Sequence, residues 1–192
     1  MENKKYLPLK IIHLIFMVAG IVLFAISLIS YSQSSALGII GPVLNILALA
    51  AGIVYLAFGY KKDANLYYKI FMWALVISQI VEFTGQYSTG DIGTGDAVFN
   101  NLAKFVAFAL IILLAGAKDY GVVKSNILSI ALVVINTYII FDCFFSAAPN
   151  FVAQGWPVLP LYFDAIGQFI IASTVAFMVC GKYLDKAARG TK

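Results

Sequence analysis

The chain has 192 residues, of which 62% are hydrophobic and only 11% charged, with a formal net charge of +4. A soluble globular domain carries roughly one quarter charged residues, so this composition excludes an ordinary water-soluble fold and points to a bilayer as the solvent. The basic residues are dispersed along the chain rather than gathered into a stripe, which argues against nucleic acid as a partner.

A hydrocarbon core of about 30 Å needs roughly 20 apolar residues in a helix. Six segments approach that length, at about 9–30, 36–59, 67–85, 97–117, 126–147 and 159–181. The first follows Lys4, Lys5 and Lys10 as a signal peptide would, but its apolar run from Ile11 to Ile29 exceeds the usual signal core of about 7–15 residues. We therefore read it as a retained helix. Strands of a transmembrane barrel would be about 10 residues of alternating polarity, whereas these runs are continuous and longer. The expectation is an all-α polytopic membrane protein: one membrane-embedded domain over 1–192, folded as a six-helix bundle, with no room for a separate soluble catalytic domain.

Lysine and arginine predict the orientation. Lys4, Lys5 and Lys10 precede the first segment; Lys61, Lys62 and Lys69 lie between the second and third; Lys118 and Lys124 between the fourth and fifth; Lys182, Lys186, Arg189 and Lys192 follow the sixth. The opposite loops, Ser30–Ala36, Gln86–Ala97 and Ala147–Pro160, carry none. The positive-inside rule then places both termini in the cytoplasm and the protein in the cell's cytoplasmic membrane. The second, fourth and sixth segments end alike, in Gly59-Tyr-Lys-Lys, Gly116-Ala-Lys and Gly181-Lys-Tyr, as helix C-caps at a basic membrane face do.

Few residues offer cofactor or metal chemistry. His13 is the single histidine, and Cys143 and Cys180 lie near opposite membrane faces with no CxxC neighbour. The Gly-rich outer loop at 88–96 lacks the Rossmann and Walker patterns and the EF-hand spacing. No cofactor and no metal are expected. Trp156, in the last outer loop, fits the interfacial aromatic belt, or a lid over an outer pocket.

Charges inside the segments are the main functional clue. Glu82, Lys104, Asp142 and Asp164 fall in four different helices. Counted from the inner lysines at 1.5 Å per residue, all four sit about 20–27 Å above the inner surface. Each has a polar or aromatic neighbour one turn away on its own helix: Ser78 and Gln79 for Glu82, Asn100 and Asn101 for Lys104, Tyr138 for Asp142, and Gln168 for Asp164. A charge at the bilayer centre costs roughly 2.5–3.5 kcal/mol on the insertion scale, so such stripes should face the bundle interior. Asn45 and Asn136 lie deeper and are expected to hydrogen-bond across helices. Below them the segments are almost wholly apolar, which disfavours an open aqueous pore.

These features predict a small-solute binding or transport protein with an outer-facing polar pocket. The expected lining is Glu82, Lys104, Asp142, Asp164, Gln79, Gln168, Asn101, Tyr138, Tyr162 and Trp156, and the expected ligand a cationic or aromatic solute, or a proton exchanged by a carboxylate. In length and span count alone the chain is similar to the substrate-binding subunits of energy-coupling-factor vitamin transporters, a resemblance that implies partner subunits, including an energising ATPase. The alternative is a non-enzymatic accessory or sensor subunit whose polar layer is structural. An intramembrane lipid-modifying enzyme ranks third: paired acids supply acid–base groups, but the sequence has no Ser–His arrangement and no dense basic phosphate clamp.

Overall fold

The computed structural model describes residues 7–30, 36–58, 64–88, 96–115, 121–154 and 159–188. They form six α-helices: α1 (Leu7–Ser30), α2 (Ala36–Phe58), α3 (Ala64–Ser88), α4 (Asp96–Ala115), α5 (Gly121–Gln154) and α6 (Leu159–Ala188). Four carry stretches long and apolar enough to cross a membrane: Leu7–Ile29, Ile39–Ala57, Val123–Asp142 and Tyr162–Val179. In α4 the apolar stretch is shorter, Leu102–Leu114, and α3 is interrupted by Ser78, Gln79, Glu82 and Thr84. The chain is a membrane-embedded helical protein.

Helix α5 runs to Gln154, seven residues past the 147 expected from the sequence, and α6 to Ala188 rather than 181. Hydropathy measures the apolar span, whereas the helical backbone of α6 continues through the polar stretch 181–188; that of α5 continues past Pro149, which gives the ladder no N–H. Helix α5 opens on Gly121 with φ of +78°, a left-handed backbone that favours glycine.

Consecutive helices pack side by side, and α6 returns against α1 to close the ring. The contact of α2 with α3 is the most extensive; that of α3 with α4 is thin, and α4 also touches α6. Close approaches fix the helix directions. Gly20 of α1 meets Leu49 of α2 and Ile170 of α6, while Phe24, one turn later, covers Gly167, one turn earlier on α6. Helix α1 is therefore antiparallel to both. Gly41 against Glu82 and Gly52 against Phe71 make α2 and α3 antiparallel in the same way. The start of α1 and the end of α6 consequently lie at the same end of the bundle.

Toward that end the interior is apolar. A methyl group on Gly52 would stand 3.0 Å from Met17 Sδ and 3.1 Å from both Met178 Cε and Phe71 Cδ2, so α1, α2, α3 and α6 meet at one closely packed point. Leu49, Leu75, Ile171 and Val175 are fully buried around it. His13 caps this region on the α1–α6 side. It stacks on Phe177 with ring centroids 4.0 Å apart, and its Nδ1 donates to the Leu9 carbonyl at 2.9 Å.

The outer faces of the helices are apolar as well. Ile15 is 61% exposed, Trp73 65% and Phe145 75%, a surface that acyl chains cover and water would not tolerate at this extent.

Phe24 of α1 packs directly on Gly167 of α6, with Phe24 Cζ at 2.7 Å from the place a Cβ would take. Gly167→Ala should therefore lower the thermal stability of the detergent-solubilised protein, by about 1–3 kcal/mol for an overpacked contact. Adding Phe24→Leu should recover part of that loss, because the clash lies with the ring.

Candidate polar site in the membrane interior

Ser78, Gln79 and Glu82 of α3 point into the bundle, where α2 and α6 offer partners, whereas Thr84 is exposed and bonds back to the Ile80 carbonyl. Asn45, on α2, is fully buried. Its Nδ2 donates to Glu82 Oε1 at 2.7 Å, and its Oδ1 lies 2.6 Å from Ser78 Oγ. Ser78 and Glu82 are four residues apart on one face of α3, so a single asparagine is held at both ends by one turn of the neighbouring helix. Ser78 Oγ also lies 3.1 Å from the Gly41 carbonyl oxygen and 3.2 Å from Glu82 Oε1. A hydroxyl has one proton to give, and the shortest separation assigns it to Asn45.

Helix α6 completes the carboxylate's shell. Gln168 Nε2 donates to Glu82 Oε2 at 2.8 Å, and Gln79 Nε2 donates to Gln168 Oε1 at 3.1 Å. Both oxygens of Glu82 are thus engaged, one from α2 and one from α6. Unmet, such a group in a low-dielectric interior would be costly; met, it ties three helices together.

Space for this side chain comes from α2. A methyl group on Gly41 would stand 2.7 Å from Glu82 Cγ and 3.1 Å from Oε1. Pro42 follows inside the same helix and is buried; it has no N–H to give the ladder. The Gly41-Pro42 pair was absent from the sequence-based set of site residues. A glycine–proline step in an apolar helix is a visible signal, but it does not say which side chain fills the gap.

Two further charges belong here. Asp164 and Lys104 stand close enough for their charges to act on Glu82, and Lys104 acts likewise on Asp164. Helices α3, α4 and α6 therefore bring Glu82, Lys104 and Asp164 into one electrostatic cluster.

The other expected lining residues lie elsewhere. Asp142, on α5, is partly exposed and takes no part in the Glu82 hydrogen bonds. Tyr138 is 47% exposed, on the same outward stripe of α5 as Val134, Phe141 and Phe145. Tyr162 is buried, its ring centroid 4.7 Å from that of Phe144. The side chain of Asn101 and the whole of Trp156 lie outside the described residues, as do the side chains of Asn100, Cys143 and Cys180. Asn45 bonds across helices as expected. Asn136 instead turns its Nδ2 to the Leu132 carbonyl of its own helix at 2.9 Å.

No protein-family model matches the chain, and comparison with curated proteins and with solved structures likewise finds no match. Any functional reading therefore rests on the polar layer itself.

Glu82→Ala should destabilise the protein by about 1–2 kcal/mol, given two interhelical hydrogen bonds at roughly 0.6 kcal/mol each and the space left behind. Glu82→Gln should cost less, because the amides of Gln168 and Gln79 can turn over to present an acceptor. Gly41→Ala should be destabilising in the wild-type background and nearly neutral beside Glu82→Ala, a coupling that a double-mutant cycle of melting temperatures measures directly.

Proposed function

We propose that this chain is a six-span membrane protein, with both termini on the cytoplasmic side of the cell membrane, that binds a small solute in its polar layer as a binding or transport component. The observation that carries this reading is the convergence of Glu82, Asn45 and Gln168, hydrogen-bonded across three helices, with Lys104 and Asp164 near enough to act on Glu82, inside an apolar bundle. An apolar interior seals the end that holds Met17, Gly52, Phe71 and Met178, so the polar layer lies toward the opposite end. Lys10, Lys69 and Lys124 stand in the first two turns of α1, α3 and α5, which puts them at the sealed end and, by the positive-inside rule, inside. A solute would then enter from outside.

A second reading has an observation of its own. Both oxygens of Glu82 are engaged within the protein, as in a structural lock, and an accessory or sensor subunit would need no more than that. Asp164 separates the two readings: its carboxylate shares no hydrogen bond in the Asn45–Ser78–Glu82–Gln168–Gln79 network.

Native mass spectrometry of the gently solubilised full chain tests this. A small molecule retained by the wild type and released by Asp164→Asn is the expected result. Bare protein in both samples, or the same partner subunit on both, would transfer the assignment to the accessory reading.

A further inference from the structure

The chemical class of the solute follows from a side chain that the sequence did not single out. Ser27, near the far end of α1, is 0% exposed, and its hydroxyl has no hydrogen-bond partner among the described residues. Hydroxyls on apolar helices usually bond back to the carbonyl four residues earlier. Thr84, Thr137 and Thr174 do so here, at 2.7, 2.8 and 2.7 Å. Ser27 does not. Ser129, on α5, shares this condition, but it lies two turns toward the sealed end from Asn136, away from the charged cluster.

The helix register places Ser27 level with Asp164 along the α1–α6 contact. Met17, Gly20, Phe24 and Ser27 follow one another at helical spacing on the face of α1 turned to α2 and α6. Phe24 covers Gly167 of antiparallel α6. One turn onward along α1 is Ser27, and one turn back along α6 is Asp164. The same antiparallel count on α2, starting from the contact of Gly20 with Leu49, brings Ser27 level with Pro42, next to the Gly41 that receives Glu82. A buried, unpartnered hydroxyl and a carboxylate outside the Glu82 network thus share one level of the bundle.

We propose that Asp164 and Ser27 together receive the ammonium group of a small monocationic amine, with Lys104 limiting the site to a single positive charge. This rests on the solute-binding reading above and narrows it. Glu82 is held by Asn45 and Gln168, whereas Asp164 shares none of those hydrogen bonds, so Asp164 is the carboxylate able to meet a ligand. An ammonium has three directed N–H donors, which suit a carboxylate and a hydroxyl. A divalent cation takes six or more oxygen ligands as a rule, and the nearby lysine opposes a second positive charge.

The test uses the purified full chain at constant ionic strength, titrated with methylammonium chloride and, separately, with sodium chloride and tetramethylammonium chloride, while thermal unfolding is followed. Methylammonium should raise the melting temperature saturably. Tetramethylammonium, which has no N–H to donate, should not, and neither should sodium. Asp164→Asn should abolish the shift. Ser27→Ala should weaken half-saturation by about tenfold, the weight of one hydrogen bond to a charged group, while Asp142→Asn should leave it unchanged. Should Asp164→Asn fail to fold, Ser27→Ala and Asp164→Glu carry the comparison. An equal shift with sodium, or none with methylammonium, would overturn the amine assignment. If native mass spectrometry then still shows a solute lost on Asp164→Asn, only the ligand class has failed; if it shows none, the solute-binding reading fails with it.

Discussion

The Glu82 carboxylate is the constraint around which the upper half of the bundle is arranged. A carboxylate cannot be left without partners in an apolar interior. Here Asn45 supplies a donor from α2 and Gln168 one from α6, while Ser78 braces the asparagine from the same turn of α3. Three helices are thereby held in one register. The register in turn sets where Gly41 must lie, because only a residue without a side chain leaves room for Glu82 Cγ.

That network also explains why α3 belongs inside the bundle although its C-terminal half is polar. A helix carrying Ser78, Gln79 and Glu82 would be a poor span alone. Turned so that this stripe meets Asn45 and Gln168, it leaves Trp73, Ile77 and Ile80 on the outer surface, where lipid accepts them. The same rotation brings Phe71 and Leu75 onto the apolar contacts below. Polar pairing above and close packing at Gly52 below therefore favour a single rotational setting of α3, and the two halves of the helix agree.

Around this fixed carboxylate stand two charges that take no part in its hydrogen bonds. Lys104 comes from α4, whose contact with α3 is thin, and Asp164 lies one turn from Gln168. The layer thus combines a part held by hydrogen bonds across three helices with two charged side chains outside that network. Binding sites often join these properties: a pre-organised frame and a few polar groups facing an open position.

Much of this was legible in the residue order. Long apolar runs establish helices in lipid, because the backbone must satisfy its own hydrogen bonds there. Spacing along one helix put Ser78, Gln79 and Glu82 on one stripe, and Gln168 one turn from Asp164. Which stripes meet was not legible. Tyr138 and Asp142 share a face of α5 as their spacing requires, yet Tyr138 is on the outward side, and Asn136 bonds to its own helix. Gly41 and Ser27 look like ordinary small residues in an apolar run; the role of Gly41 emerges from Glu82 across α2–α3, and the buried, unpartnered state of Ser27 emerges only once the helices are packed. The sequence by itself determined the solvent, the helices and the polar face of each helix, since these depend on local composition and on a period of 3.6 residues. Tertiary structure alone decided the rotation and register of one helix against another, because those follow from side-chain fit and hydrogen-bond pairing between segments far apart in the chain.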